Sequence, residues 1–224
     1  MITLADVKAN KDLTTLVLSA NRMLSSLGYT EHGPRHVGYV STTTKSILAS
    51  LGYDKHQQTL GEIAGWLHDV GNCVNRQGHG RTGAALLMPL LREMGMPMAD
   101  VAEIMAAVGN HEEENGFPVT PLTAALILAD KADTHRTRVR RGKRYDSGDI
   151  HDRVNYAIKK NTLSVDVEQK IIRFEIKMQN TSSVMDFLSI YLSRMKMSQQ
   201  AASTLGCRYL LVINGMPINR FPDE

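Results

Sequence analysis

The sequence predicts a mainly α chain: a helical domain over residues 1–160, followed by a small α+β unit, β-β-α-β, over residues 161–224. Three observations predict it. Up to about Lys160, apolar residues recur at helical spacing between stops made by Gly, Pro and Asn. After Asn161 the apolar period shortens to the alternation of strands. And 42% of the 224 residues are hydrophobic, enough to bury a core and too many for general disorder.

The helical elements follow in order. Asp12 reads as an N-cap, with Leu13, Leu16, Val17, Ala20, Met23 and Leu24 on one face and Gly28 as the stop. Pro34 suits the first turn of a second helix through Val37, Val40, Thr44, Ile47, Leu48 and Leu51, closed by Gly52. A third helix runs from about Gln58 to Asp69 and ends before Gly71. Thr82–Met94 and Met98–Val108 form a pair separated by Gly95 and Pro97. Pro121 opens a long helix whose early apolar run leads into a basic cluster. No fixed-period repeat is visible.

Beyond Asn161, Leu163, Val165 and Val167 alternate with polar residues, as do Ile172, Phe174 and Ile176, and Glu168–Lys170 can turn between them as a hairpin. Ser183 is placed to cap a helix using Val184, Phe187, Leu188, Tyr191, Leu192 and Met195. Leu210–Ile213 reads as one more strand, stopped by Asn214-Gly215.

Charge and composition narrow the function classes. The 26 basic and 23 acidic side chains leave a net charge of +3, yet seven bases and one acid lie between Lys131 and Arg144, so the rest of the chain is mildly acidic. Such a cluster attracts phosphates if it faces a cleft, or is a solvated helix end if it does not. Arg136–Arg144 contains no interleaved aromatic residue for base stacking before Tyr145, so nucleic-acid binding is not expected. The longest apolar run, Ala124–Ala129, is too short for a membrane span, and the first residues form no apolar export signal. The two cysteines, Cys73 and Cys207, form no CxxC. A cytoplasmic, reduced protein with no membrane association is the expectation.

The residues that carry chemistry lie in the helical part. Gly65-Trp66-Leu67-His68-Asp69-Val70-Gly71 puts a His-Asp pair at the end of an apolar helix that must bury most of its surface. A buried carboxylate is costly unless it is paired or coordinates a metal, which favours a metal site. His36 lies near the start of the Pro34 helix, His79 in Gly78-His79-Gly80, and His111-Glu112 where the Met98 helix ends. Asp130 interrupts the apolar run of the Pro121 helix. His32, His56, His135 and His151 are read as surface or satisfied core groups, with His32 the least secure, one helical turn before His36. The twelve methionines read as gap-filling core residues.

In this order, His36, His68-Asp69, His79, His111 and Asp130 resemble the HD superfamily of metal-dependent phosphohydrolases. The neighbouring words are similar as well: Ala64–Gly71, Asn110–Pro118 and Leu128–Asp133, within a resemblance that covers roughly residues 30–140. Relatives with histidines matching His79 and His111 usually hold two metals. The resemblance therefore implies two divalent transition-metal ions (Fe, Mn, Co, Ni or Zn) held by His36, His68, Asp69, His79, His111 and Asp130. Asp69 would bridge the pair, with His36, His68 and Asp130 on one ion and His79 and His111 on the other. Imidazole and carboxylate donors suit such ions better than a thiolate site would.

The implied reaction is hydrolysis of a phosphoester or phosphoanhydride of a small phosphorylated compound, with a nucleotide as the expected example. A metal-held water, acidified towards hydroxide, would attack phosphorus while the cations neutralise the non-bridging oxygens. Glu112 could orient that water or protonate the leaving group, or be a surface acid of the run Glu112–Glu114. Many members carry a lysine after His-Asp-x-Gly, where this chain has Asn72. Asn72 can still hydrogen-bond the substrate phosphate but supplies no charge, which Arg81, Lys131 or Arg136 would supply instead. Alternatives of a different kind are a mixed-valent di-iron oxygenase of the same fold and a non-catalytic nucleotide-binding sensor. Because no ligand-type residue of this set lies beyond Asp130, the chemistry is expected not to depend directly on the C-terminal unit. A unit of that size is marginal alone, and the run Tyr209–Ile213 suggests pairing of strand edges in a homodimer.

Overall fold

The computed structural model describes residues 1–139 and 148–219. Arg140, Arg141, Lys143 and Arg144 of the basic cluster, with Tyr145, lie outside the described residues. The architecture is mainly helical with a small mixed sheet near the C-terminus.

Helix α1 (Leu4–Ala9) closes at Asn10, and Asn10 at once caps α2 (Lys11–Ser26), accepting from the amides of Asp12 and Leu13. The expected cap, Asp12, thus lies inside the helix: the unforeseen α1 makes Asn10 the turn residue between two helices, and the carboxamide there satisfies the orphan donors. α3 (Pro34–Ser50) starts at its proline as expected. α4 (Lys55–Leu67) starts ahead of Gln58 because the Asp54 carboxylate accepts from Gln57 N, and it ends at His68. A short 3-10 turn, Val70–Cys73, leads on to α5 (His79–Glu93), which begins ahead of Thr82, and to α6 (Met98–Gly109). α7 (Pro121–Ala132), capped by Thr120, stops before most of the basic cluster. Arg136–Arg138 form a separate 3-10 turn, not a continuation of that helix.

The C-terminal part comprises α8 (Ile150–Ala157), β1 (Ile158–Asp166), β2 (Ile171–Met178), α9 (Val184–Thr204), β3 (Arg208–Ile213) and the short β4 (Met216–Pro217). β1 therefore begins before Asn161, directly out of α8. Ser183 and Asp186 complete a reciprocal capping box at the start of α9. The sheet order is β1-β2-β3-β4; β1 and β2 form the expected antiparallel hairpin, and β2 and β3 are parallel, joined by the α9 crossover.

The run Tyr209–Ile213 is not a free edge. β2 pairs with it on one side, and on the other β4 pairs with Val212 and Ile213 while the Asn219 side chain bonds Leu211 N and Tyr209 O. One continuous core joins both parts of the chain. α7 is its axis: Leu122–Ala129 is buried, and α3, α4, α6, α9 and β1 all pack against this helix. No helix among the described residues is long and apolar enough to cross a membrane.

Candidate metal centre

Helix ends deliver the ligand-type side chains. His36 sits in the first turn of α3, His68 caps α4, and Asp69 leaves the helix with φ −97° and ψ 2° to begin the 3-10 turn. Gly78, in the left-handed region at φ +70°, turns the chain so that His79 opens α5. His111 follows the end of α6, and Asp130 lies in the last turn of α7. His36, His68, Asp69, His79 and His111 are all buried, and Asp130 is nearly so.

The atoms form two groups around Asp69. In the first, His36 Nε2 lies 3.3 Å from His68 Nε2 and 3.4 Å from Asp130 Oδ1. Asp69 Oδ2 is 3.4 Å from His68 Nε2 and 3.6 Å from His36 Nε2. In the second, His79 Nε2 lies 3.0 Å from His111 Nε2 and 3.2 Å from Asp69 Oδ1, and His111 Nε2 is 3.8 Å from that oxygen. Donor atoms about 2.0–2.2 Å from one shared ion stand roughly 3.0–3.5 Å apart, so the spacing fits metal ligation. A further observation agrees: Asp69 Oδ2 is buried with no hydrogen-bond partner among the described residues, a costly state for a carboxylate that a cation would relieve. These buried His and Asp groups can hold metal ions.

The far side of each ring is fixed. His68 Nδ1 donates to Gly65 O (2.9 Å), His79 Nδ1 to Arg76 O (2.9 Å) and His111 Nδ1 to Val108 O (2.6 Å). A carbonyl only accepts, so the protonated nitrogen is Nδ1 and the Nε2 lone pair is free for a metal once no proton occupies it. For His36 the outer partner is Asp133, whose Oδ2 is 2.7 Å from Nδ1.

The electrostatics are those of a cation site. Burial works against ionisation of Asp69 and Asp130, yet nearby positive charge, from His68 for Asp69 and chiefly Lys131 for Asp130, together with imidazole hydrogen bonds, holds both well below the usual carboxylate range. Burial also opposes the His68 imidazolium, but Asp69 and Asp130 outweigh it and push this group up to about 10. His111 goes the other way, held down to about 4 chiefly by burial.

Glu112 is not a surface acid. It is buried, its Oε1 accepts from Gly80 N (2.5 Å) and lies 2.5 Å from His79 Nδ1, behind the ring and away from the Nε2 centre. Burial would raise its pKa, but His79 and the Gly80 amide bring it down to about 2, so it holds no proton to donate near neutrality. Asn72 Nδ2 donates to Asp69 Oδ1 (2.9 Å) and Asp69 O (3.0 Å), which turns it towards the aspartate and not towards an open cavity. Lys131 is buried with Nζ between Asp130 Oδ2 (2.7 Å) and Glu113 Oε2 (2.6 Å), at the edge of the centre.

Arg81 and Arg136 are not brought to the centre. Arg81 is exposed on α5. Arg136 bonds Tyr156 O and Gln179 Oε1 and lies over the Tyr156 ring, because the chain has left α7 and turned towards the C-terminal part.

In their place the structure gathers residues that sequence reasoning passed over. A small cavity at the centre and an adjoining one of about 230 Å³ share His32, Arg76, Arg138 and Arg194 in their walls. His32 was foreshadowed by its spacing from His36, their ring centroids being 5.4 Å apart. Arg194 had no local signal. It projects from α9, with Nε 2.9 Å from Glu113 Oε1. Through Arg194 the C-terminal part therefore contributes to the wall of the small cavity at the centre. No family model and no curated protein matches this chain.

Proposed function

We propose that this chain is a metal-dependent phosphohydrolase of the HD type, holding two divalent transition-metal ions and hydrolysing a phosphoester or phosphoanhydride of a small phosphorylated compound. The observation that carries this is the division of Asp69: each of its oxygens belongs to a different group of imidazole Nε2 atoms. His36, His68, Asp69 and Asp130 would hold one ion, and His79, His111 and Asp69 the other. When bound, the ions would acidify a water for attack on phosphorus and neutralise charge on the non-bridging oxygens.

The chain's own residues do the rest. Asp133 orients His36 and Glu112 orients His79, each fixing the ring that faces the centre. Asn72 holds the Asp69 carboxylate by donating to its Oδ1. The arginines of the adjoining cavity supply the positive charge that Asn72 lacks and favour a phosphate-bearing substrate over an uncharged one.

Elemental analysis combined with a phosphate-release screen tests the proposal. The expectation is two metals per chain after reconstitution with manganese, cobalt or iron, and phosphate release from at least one nucleotide or phosphomonoester. A maximum of one metal would refute the dinuclear assignment. Oxygen uptake with iron and no phosphate release would replace hydrolase by oxygenase, and ligand binding without any turnover would leave a sensor.

A further inference from the structure

The cavity of about 230 Å³ beside the candidate metal centre is lined by arginines, tyrosines and acids. At the end it shares with the centre lie Arg76, Arg138 and Arg194. Their negative partners are already divided. Glu113 serves both Arg194 and Lys131, at 2.9 and 2.6 Å, while the other acid on Lys131, Asp130, is one of the metal-type ligands. Asp133 takes the Arg35 fork and His36, and stands 3.9 Å from Arg138. Arg76 donates to Asn72 Oδ1 and stands beside His79 Nε2, at 3.4 Å each. The three guanidinium groups thus leave a surplus of positive charge at one point. Arg138 is 4% exposed and its Nε has no hydrogen-bond partner among the described residues, a buried donor that awaits an acceptor.

Two aromatic rings of the lining carry these arginines: Tyr29 lies beneath Arg76 at 5.7 Å and Tyr191 beneath Arg194 at 5.1 Å. Asp149 and Asp152, from the start of α8, add carboxylates that accept from hydroxyls. Ligand pockets for drug-sized molecules run from about 300 Å³ upwards, so this one suits a single nucleoside-sized body and not two.

We propose that Arg76, Arg138 and Arg194 form a clasp for the phosphate of a mononucleotide-sized phosphomonoester, with Arg194 delivered from the C-terminal part as a substrate-binding residue, and that the nucleoside-like body lies in the rest of the cavity with its hydroxyls towards Asp149 and Asp152. This rests on, and deepens, the phosphohydrolase assignment. Guanidinium forks match a phosphate in both charge and geometry, and a terminal phosphate dianion matches the surplus charge better than an internal diester does.

The test is equilibrium binding. The full chain, loaded with manganese, is titrated calorimetrically with the phosphonate analogue of adenosine 5′-monophosphate, whose P–C bond resists hydrolysis, and separately with diadenosine tetraphosphate. The analogue is expected to bind at least about tenfold more tightly than the dinucleotide, and Arg194→Ala to weaken it by at least about tenfold at unchanged metal content. Arg194→Lys, which keeps the charge and loses the fork, should recover part of the affinity, and it serves as the readout if the alanine variant does not fold. A loss smaller than tenfold in the folded variants, or equal binding of the dinucleotide, overturns the clasp. Phosphate release by the wild type with Arg194 variants unaffected would leave the hydrolase assignment standing and remove the clasp. Arginine-dependent binding of the analogue, with no phosphate released from any ester, would do the reverse.

Discussion

Asp133 Oδ2 lies 2.7 Å from His36 Nδ1, and the same carboxylate receives both terminal nitrogens of Arg35, at 3.1 and 2.7 Å. The ring is therefore oriented by an acid that is itself oriented. Burial alone would raise the Asp133 pKa, but His36, Arg138 and Arg35 lower it, so the carboxylate stays ionised and basic towards the ring. Outer partners of this kind change metal affinity by roughly 10–100-fold when removed. Asp133→Asn is expected to lower metal affinity by that factor while both groups can still fill at high metal concentration. Chelator competition followed by elemental analysis measures it; an unchanged affinity would show that His36 needs no such support.

A larger effect is expected one layer inward. Asp69→Ala removes an oxygen from both groups and, were each group to hold a cation, the negative charge that would shield their repulsion. Metal affinity should fall by more than about 100-fold, beyond the range of an outer partner. The helical circular dichroism should persist, because Asp69 follows α4 and contributes no part of its apolar face. His79→Ala or His111→Ala should spare the His36 group and leave about one metal per chain. Retention of two metals by Asp69→Ala would show that Asp69 is not shared.

The difference between Asp69 and Arg194 explains what was legible in the sequence. His68 and Asp69 announce themselves locally, as polar side chains at the end of an apolar helix, and the same holds for Asp130 within Ala124–Ala129. Ser183, Pro34 and Pro121 mark helix starts through their own backbone chemistry. Arg194 reaches the centre only because the β2-α9-β3 crossover lays α9 against α7, a long-range event with no trace in its neighbours. Arg136 shows the converse. It is close to Asp130 in sequence, yet α7 ends at Ala132 and the next turn carries it to Tyr156. Asp133 stands in the Leu128–Asp133 stretch that also holds Asp130, but its contact with His36 joins residues far apart in the chain.

Acid should weaken metal binding. Without a cation, burial opposes the His68 imidazolium but Asp69 and Asp130 raise it from 6.5 to about 10, so at neutral pH a proton occupies the position a metal would take. Binding must displace that proton, and apparent affinity should rise with pH by up to about tenfold per unit for each proton released. Calorimetry in buffers of different ionisation enthalpy counts those protons, and a pH-independent affinity between about 6 and 9 would contradict the scheme. Stability of the metal-free chain follows the same groups. The His68 contribution is present below pH 6.5 and is lost as pH rises through about 10. The contributions of Asp69 and Asp130 are present above pH 3.8 and are lost as pH falls further, through their depressed folded values.

The spacing of the first ligand group depends on one glycine. A Cβ at Gly65 would stand 2.6 Å from the Cα and 2.7 Å from the amide nitrogen of Ser41, both backbone atoms that cannot rotate aside, so α3 and α4 would have to separate. Inserting an atom into such a contact costs about 1–3 kcal/mol, against a helix-propensity gain of about 1 kcal/mol for Gly→Ala. The net loss should lower the melting temperature by roughly 2–4 °C for each kcal/mol. α3 carries His36 and α4 ends in His68, and their Nε2 atoms are 3.3 Å apart, so the same separation should weaken metal binding. Gly52→Ala is the control: its φ of +82° strains any side chain, but nothing lies within 4 Å of the new Cβ, so stability should fall with metal affinity unchanged. If Gly65→Ala is destabilised yet binds metal as tightly as the wild type, the two helices can separate without moving the ligands, and the glycine serves packing alone.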